Sequence, residues 1–166
     1  MWAKLKPHFK GFPAQERIAQ VMVAYGLRVK DGGVYAGDIA LSDSAVARAV
    51  GVDRRVVTAT LRTIEGTPLL REFFGKLWPV CHLGNVAPLM GWGAIEILPT
   101  NASKPGILAG TATIIAEANI PVRQVIVDDP EIMEDPRAML ITEKPVPERL
   151  LPRIRNLDGV RGVVLR

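Results

Sequence analysis

GWGAIEILPTNASKPGILAGTATIIAEANIPVRQVIV, residues 91–127, is the stretch on which the fold turns. GAIEILPT alternates apolar and polar positions and predicts a strand. A polar loop follows, Asn101 to Lys104, and Pro105-Gly106 then stands where a helix begins; a proline loses nothing there by lacking an N–H. Ile107, Leu108, Thr111, Ile114 and Ile115 recur at helical spacing over 105–118, and Asn119 suits a left-handed exit. VRQVIV then reads as the next strand.

Downstream, the acidic DDPEIMEDP predicts a turn, RAMLITE a third strand, Pro147 the start of a second helix, and VRGVVLR a fourth strand. Pro152 sits badly inside that second helix, so it must either kink the helix or delay its start. The resulting order, β-α-β-β-α-β, is the ferredoxin-like split motif. Right-handed crossovers put both helices on one face of an antiparallel sheet, and the other face and the edges then need cover, from a second copy or from the N-terminal half.

Upstream, a basic arm carrying Lys4, Lys6 and Lys10 leads through Gly11-Phe12-Pro13 into a helix with Ile18, Val21, Met22 and Tyr25 on one face. LRVKDGGVYAG around Asp31-Gly32-Gly33 predicts a small two-stranded hairpin. In LSDSAVARAVGVDRRVVTATLRTI, residues 41–64, Ser42 or Asp43 can cap a short helix, Gly51-Val52 makes a tight turn, and Asp53 caps a second helix. Val57, Leu61 and Ile64 face inward at i, i+4, i+7, which leaves Arg54, Arg55, Thr58, Ala59 and Arg62 outside. That is the layout of a helix-turn-helix reader. The first helix braces, the second enters the major groove, arginines reach phosphates or guanine edges, and Ala or Thr approaches a thymine methyl. The alternative is a helical hairpin with a solvated arginine face.

Charge supports a polyanion partner for one half only. Residues 1–80 hold twelve Lys/Arg against seven Asp/Glu, whereas residues 81–166 hold nine against ten. Apolar residues make up 48% of the 166 and aromatics only 5%, so the core is aliphatic. No run approaches the ~18 apolar residues of a membrane span, and MWAKLKPHFK lacks the apolar middle of a signal peptide, so the expected location is the cytoplasm. One cysteine, Cys81, and two histidines, His8 and His82, assemble neither a disulfide nor a metal site, and no catalytic set or cofactor loop is evident. The acidic run of Asp128, Asp129, Glu131, Glu134 and Asp135 matches no calcium loop and reads as a solvated hairpin tip. The expected division is 1–78 helix-turn-helix domain, 79–92 apolar connector with Trp78 and Trp92 partly buried, and 93–166 sheet domain.

Two resemblances follow from these residues. Residues 41–64 resemble the prokaryotic helix-turn-helix pattern. ILPTNAS, then Lys104-Pro105-Gly106-Ile107-Leu108, Asn119 and VRQVIV resemble the ACT domain, an amino-acid-sensing module, over Gly93 to Arg166. In combination the chain resembles predicted prokaryotic regulators of amino-acid metabolism, and it is similar in plan to the leucine-responsive regulators. The resemblance implies a homodimer or higher homo-oligomer that binds DNA and an amino-acid effector, and no enzymatic activity. It implies effector contacts at Asn101, Ser103, Lys104, Gly106, Ile107 and Leu108. Many ligand-binding members carry Asp or Asn where Ser103 stands and a polar residue where Pro121 stands. Physically, free N–H groups at the helix mouth favour a carboxylate, and Gly106 permits close approach to the backbone. The alternative is a protein that senses an amino acid, or only dimerises, and regulates an enzyme by direct contact without DNA.

Overall fold

The computed structural model describes all of residues 1–166 and is α+β, with two antiparallel sheets. The chain divides into two compact units, Met1–Cys81 and His82–Arg166, and no helix is long and apolar enough to cross a membrane.

In the first unit, α1 (Trp2–Leu5) and a 3-10 turn (Lys6–Phe9) precede α2 (Pro13–Ala24). The expected basic arm is instead part of the core. Trp2, Leu5 and Phe9 are buried, with the Trp2 and Phe9 rings stacked 6.3 Å apart, while the lysines between them face water. Strands β1 (Leu27–Lys30), β2 (Gly33–Ala36) and β3 (Ile39–Leu41) form a sheet in that order, one strand more than the expected hairpin. Asp31 and Gly32 both take positive φ, as a tight two-residue turn demands. β3 is three residues long and exists because Val34 to Ala36 offer it a ladder. Helices α3 (Asp43–Val50), α4 (Arg54–Gly66) and α5 (Pro68–Gly75) complete the unit. Ile18, Met22, Val34, Val57, Ile64, Leu70 and Phe74 are fully buried among them. At Gly26, where φ is +61°, an added Cβ would lie 2.5 Å from the Trp78 carbonyl oxygen. Only glycine therefore lets the chain after α5 lie along the start of β1.

The second unit runs β4 (Gly93–Pro99), α6 (Ile107–Glu117), β5 (Val122–Val127), β6 (Ala138–Thr142), a 3-10 turn (Glu148–Leu150), α7 (Leu151–Arg155) and β7 (Val160–Leu165). The sheet order is β5-β6-β4-β7 with every neighbouring pair antiparallel. Pro152 is resolved by a late start, since α7 takes it into its first turn, where its missing N–H is harmless. Ile95, Ile97 and Leu140 from the sheet pack with Ile107, Ile114, Ile115 and Ile154 from the helices as one core. The opposite sheet face is partly covered by residues 82–92. Ala87 is fully buried against Ala94 and Ile141, with Leu83, Trp92 and Met139 around them. The Leu83 N–H donates to the Gln124 side-chain oxygen, and the Arg123 guanidinium stacks 3.9 Å from the centre of the Trp92 ring. Trp92 is half-buried as expected, whereas Trp78 is 57% exposed.

Candidate functional site

The basic face is built by two capped helices. Ser42 caps α3 by accepting the Ala45 N–H at 3.2 Å, and Asp53 caps α4 by accepting the Arg55 N–H at 2.7 Å. Between them Gly51 takes φ +70°, ψ +43°, and the Val52 N–H returns to the Ala47 carbonyl, so the chain reverses within three residues. Thr58 Oγ1 donates to Asp43 Oδ2 at 2.9 Å and thereby ties α4 to the first turn of α3.

Of the five residues marked for nucleic acid, Arg54, Arg55 and Arg62 are exposed and enter no salt bridge. Thr58 and Ala59 are half-buried. The Thr58 hydroxyl is already engaged, and the Ala59 carbonyl accepts from Thr63 Oγ1 at 3.1 Å, so these two frame the face more than they extend from it. Arg48, in the last turn of α3, is exposed on the same pair of helices, and sequence reasoning passed over it. Its signal was present. With Val46 and Ala47 turned inward, position 48 has to point out.

The loop before α6 is arranged differently. Asn101 Oδ1 accepts the Ser103 N–H at 2.9 Å, Lys104 N–H reaches the Asn101 carbonyl, and Lys104 Nζ lies 2.6 Å from Asp158 Oδ1. Thr100 donates both its N–H and its hydroxyl to the Gly159 carbonyl. At Gly159, an added Cβ would stand 2.8 Å from Lys104 Cδ, so this glycine lets the 158–159 turn lie directly against the loop.

Gly106 occupies the N-cap of α6 with φ +95° and no side-chain cap, and nothing lies within 4 Å of where its Cβ would be. The first turn of α6 thus has no side-chain cap, and the helix dipole adds positive potential at that end. Asn101, Ser103, Lys104, Gly106 and Leu108 share this mouth, while Ile107 is 8% exposed and belongs to the core. A helix N-terminus in general favours a small anion such as a carboxylate.

The acidic run 128–135 serves its own neighbours. Asp128 Oδ2 accepts the Arg137 N–H at 3.1 Å, Asp129 Oδ1 accepts the Glu131 N–H at 2.8 Å, and Asp135 pairs with Arg137 and Arg161. The Arg137 and Arg161 hydrogen bonds hold the Asp135 carboxyl below its usual range. No group of three or more His, Cys, Asp or Glu is placed to hold a metal ion.

No family model and no curated protein matches the chain. Among solved structures, one described as "Crystal structure of PH0061" aligns over 92% of this chain and 88% of that one, at 11% identity and a TM-score of 0.28.

Proposed function

We propose that the chain is an amino-acid-responsive transcriptional regulator of the type its sequence resembles, with a helix-turn-helix reader in residues 1–81 and an ACT-like, ferredoxin-fold effector unit in residues 82–166. One observation carries the reading: α3 and α4 meet through a left-handed glycine and present Arg48, Arg54, Arg55 and Arg62 to solvent without a carboxylate partner. Unpaired arginines on a rigid helix pair are suited to phosphates and guanine edges, because nothing within the protein must be broken to engage them. The strand order β5-β6-β4-β7 is consistent with a split βαβ fold and supports the effector reading, as does the uncapped start of α6 at Gly106. On this reading the protein works in the cytoplasm as a homodimer or larger homo-oligomer, has DNA and an amino acid as partners, and is not an enzyme. The effector acts by changing the separation of two α4 helices across the dimer.

The test is retention of DNA from upstream of its own coding region by the full-length protein, across a salt series, with and without each amino acid. Salt-dependent retention is expected. Its complete absence under all conditions would end the proposal.

A second reading, regulation of an enzyme by direct contact without DNA, draws on the 3-10 turn Pro88–Met90, where Leu89 is 84% exposed and Met90 58%. Adjacent large apolar side chains held out in water are characteristic of a protein contact. Replacing Arg54 and Arg55 with Ala separates the two readings, since it strongly weakens DNA retention under the first and leaves partner binding intact under the second.

A further inference from the structure

The tip of the β1–β2 hairpin is fastened to α4. The Gly32 N–H donates to Glu65 Oε1 at 2.5 Å, joining the Asp31-Gly32 turn to the last turn of α4 across 33 residues of sequence. At about 100° per residue, Thr58 and Glu65 leave α4 on nearly the same side. That side lies between the buried line of Val57, Leu61 and Ile64 and the exposed line of Arg55 and Arg62. It is gripped twice. Asp43, in the first turn of α3, takes the Thr58 hydroxyl, and further along α4 Glu65 takes the hairpin tip. Arg62 comes between these two grips in sequence and is exposed.

Lys30 is the residue before the turn. Its Nζ is 4.0 Å from Asp31 Oδ2, and the two side chains are 61% and 80% exposed, so the pair holds the lysine only weakly. Arg71, exposed on α5, lines the same cleft as Lys30, Asp31 and Glu65. With Arg62 one turn before Glu65, the cations around the tip outnumber the two acids.

We propose that the hairpin tip is a second contact to the DNA backbone, with Lys30 on a phosphate and Glu65 as the positioning residue that holds it there. The proposal rests on the reading that α4 enters the major groove. In that geometry the helix before the reading helix crosses the phosphate backbone at the groove's edge. The first turn of α3 and the hairpin tip lie on the same side of α4, so they border the same DNA strand. Thr58 and Glu65 are about 10 Å apart along the helix axis at 1.5 Å per residue. One strand carries a phosphate about every 3.4 Å of duplex axis, so the tip meets a phosphate separate from that of α3.

The charge of Glu65 by itself opposes a polyanion. What Glu65 supplies is geometry, since an exposed two-residue turn would otherwise move as a loop tip, and Lys30 is carried by that turn. Charge and geometry therefore predict opposite signs when the residue is changed. If Glu65 acted only through its charge, Glu65→Ala and Glu65→Gln would both tighten DNA binding. As a positioning residue, Glu65→Ala weakens it and Glu65→Gln, which keeps an oxygen to accept the Gly32 N–H, does not.

The test uses full-length protein and DNA from upstream of its own coding region, titrated at several salt concentrations. Lys30→Ala should weaken retention by about three- to tenfold and lower the salt slope by about 1. Glu65→Ala should do the same, Glu65→Gln should stay within about twofold of the natural protein, and Glu65→Ala added to Lys30→Ala should cost less than about twofold more. Hydrogen exchange gives a readout without DNA: the Gly32 amide should exchange faster in Glu65→Ala than in the natural protein or Glu65→Gln. An unchanged salt slope in Lys30→Ala would overturn the phosphate contact, and this variant touches only an exposed side chain. Equal or tighter binding by Glu65→Ala would overturn the positioning role. Either result with retention that still depends on Arg54 and Arg55 leaves the helix-turn-helix reading standing, whereas no retention by the natural protein ends both.

Discussion

The two candidate surfaces handle their polar groups in opposite ways. On α3 and α4 the caps Ser42 and Asp53 are occupied by backbone N–H groups, yet Arg54, Arg55 and Arg62 are left without partners. At the mouth of α6 almost every polar side chain is already engaged, Asn101 with Ser103, Thr100 with Gly159, and Lys104 with Asp158. A polyanion meeting the first surface displaces only water and counterions. A carboxylate meeting the second must compete with Asp158 for the lysine. Under the proposed function, the difference would suit a reader that is permanently ready and an effector loop whose response is adjustable.

The largest expected effect would break the comparison at its first term. Arg54→Ala with Arg55→Ala should weaken DNA retention by roughly 30- to 100-fold and reduce the salt slope by about 2, with thermal stability changed by less than about 0.5 kcal/mol. Titrations at several salt concentrations, alongside thermal melts, check both halves of that statement. Lost stability with an unchanged salt slope would make the arginines structural.

Next is Glu96, which supplies a contrast inside the second unit. It is 5% exposed, with Arg137 Nη1 3.0 Å and Arg166 Nε 2.8 Å from its two carboxylate oxygens. Glu96→Ala should cost about 2 kcal/mol in denaturant unfolding, far more than either surface arginine, because both charged hydrogen bonds and a filled central-strand position are lost. The cost stays below that of a fully buried pair, since the Arg137 and Arg166 side chains are 39% and 51% exposed and can return to water.

Asp158→Asn sharpens the second term. With Lys104 released from its ion pair, binding of a carboxylate effector at the α6 mouth should tighten by a few-fold in calorimetry, with stability changed little because the pair is a surface one. Unchanged or weaker binding would show that Lys104 plays no part in the site.

The smallest effect concerns pH. The hydrogen bonds from Arg137 and Arg161 depress the Asp135 carboxyl in the folded state. Its contribution is therefore complete above the unfolded value of about 3.9 and is lost as pH falls through the lower, folded value. Asp135→Asn should flatten the acid limb of the stability curve below about pH 4 and leave it unchanged near neutrality in shape. The same sign holds for Glu72, whose carboxyl is lowered by its hydrogen bond to Lys76.

Much of this was legible from local pattern. The helix start at Pro13, the caps at Ser42 and Asp53, the left-handed residues Gly51 and Asn119, and the inward set Val57, Leu61 and Ile64 all depend on neighbours within a turn or two. What was missed depends on partners far along the chain. β3 is a strand only because β2 lies beside it. The N-terminal lysines suggested an arm, but Trp2, Leu5 and Phe9 had a core to enter. Thr58 looked free to touch a base until Asp43, fifteen residues earlier, took its hydroxyl.

Glu96 marks the boundary between the two kinds of information. By itself, the sequence determined that GAIEILPT is a strand with Glu96 on the face away from Ile95 and Ile97, because side-chain alternation is a property of the extended backbone. Only the tertiary structure decided that this face is covered, by residues 82–92 at Ala94 and by Arg137 and Arg166 over Glu96. Those arginines are 41 and 70 residues away in sequence, and no local period can show which distant charge will close over a polar position. At Arg54, Arg55 and Arg62 the helical period put the residues outside, and the fold brought no carboxylate to them.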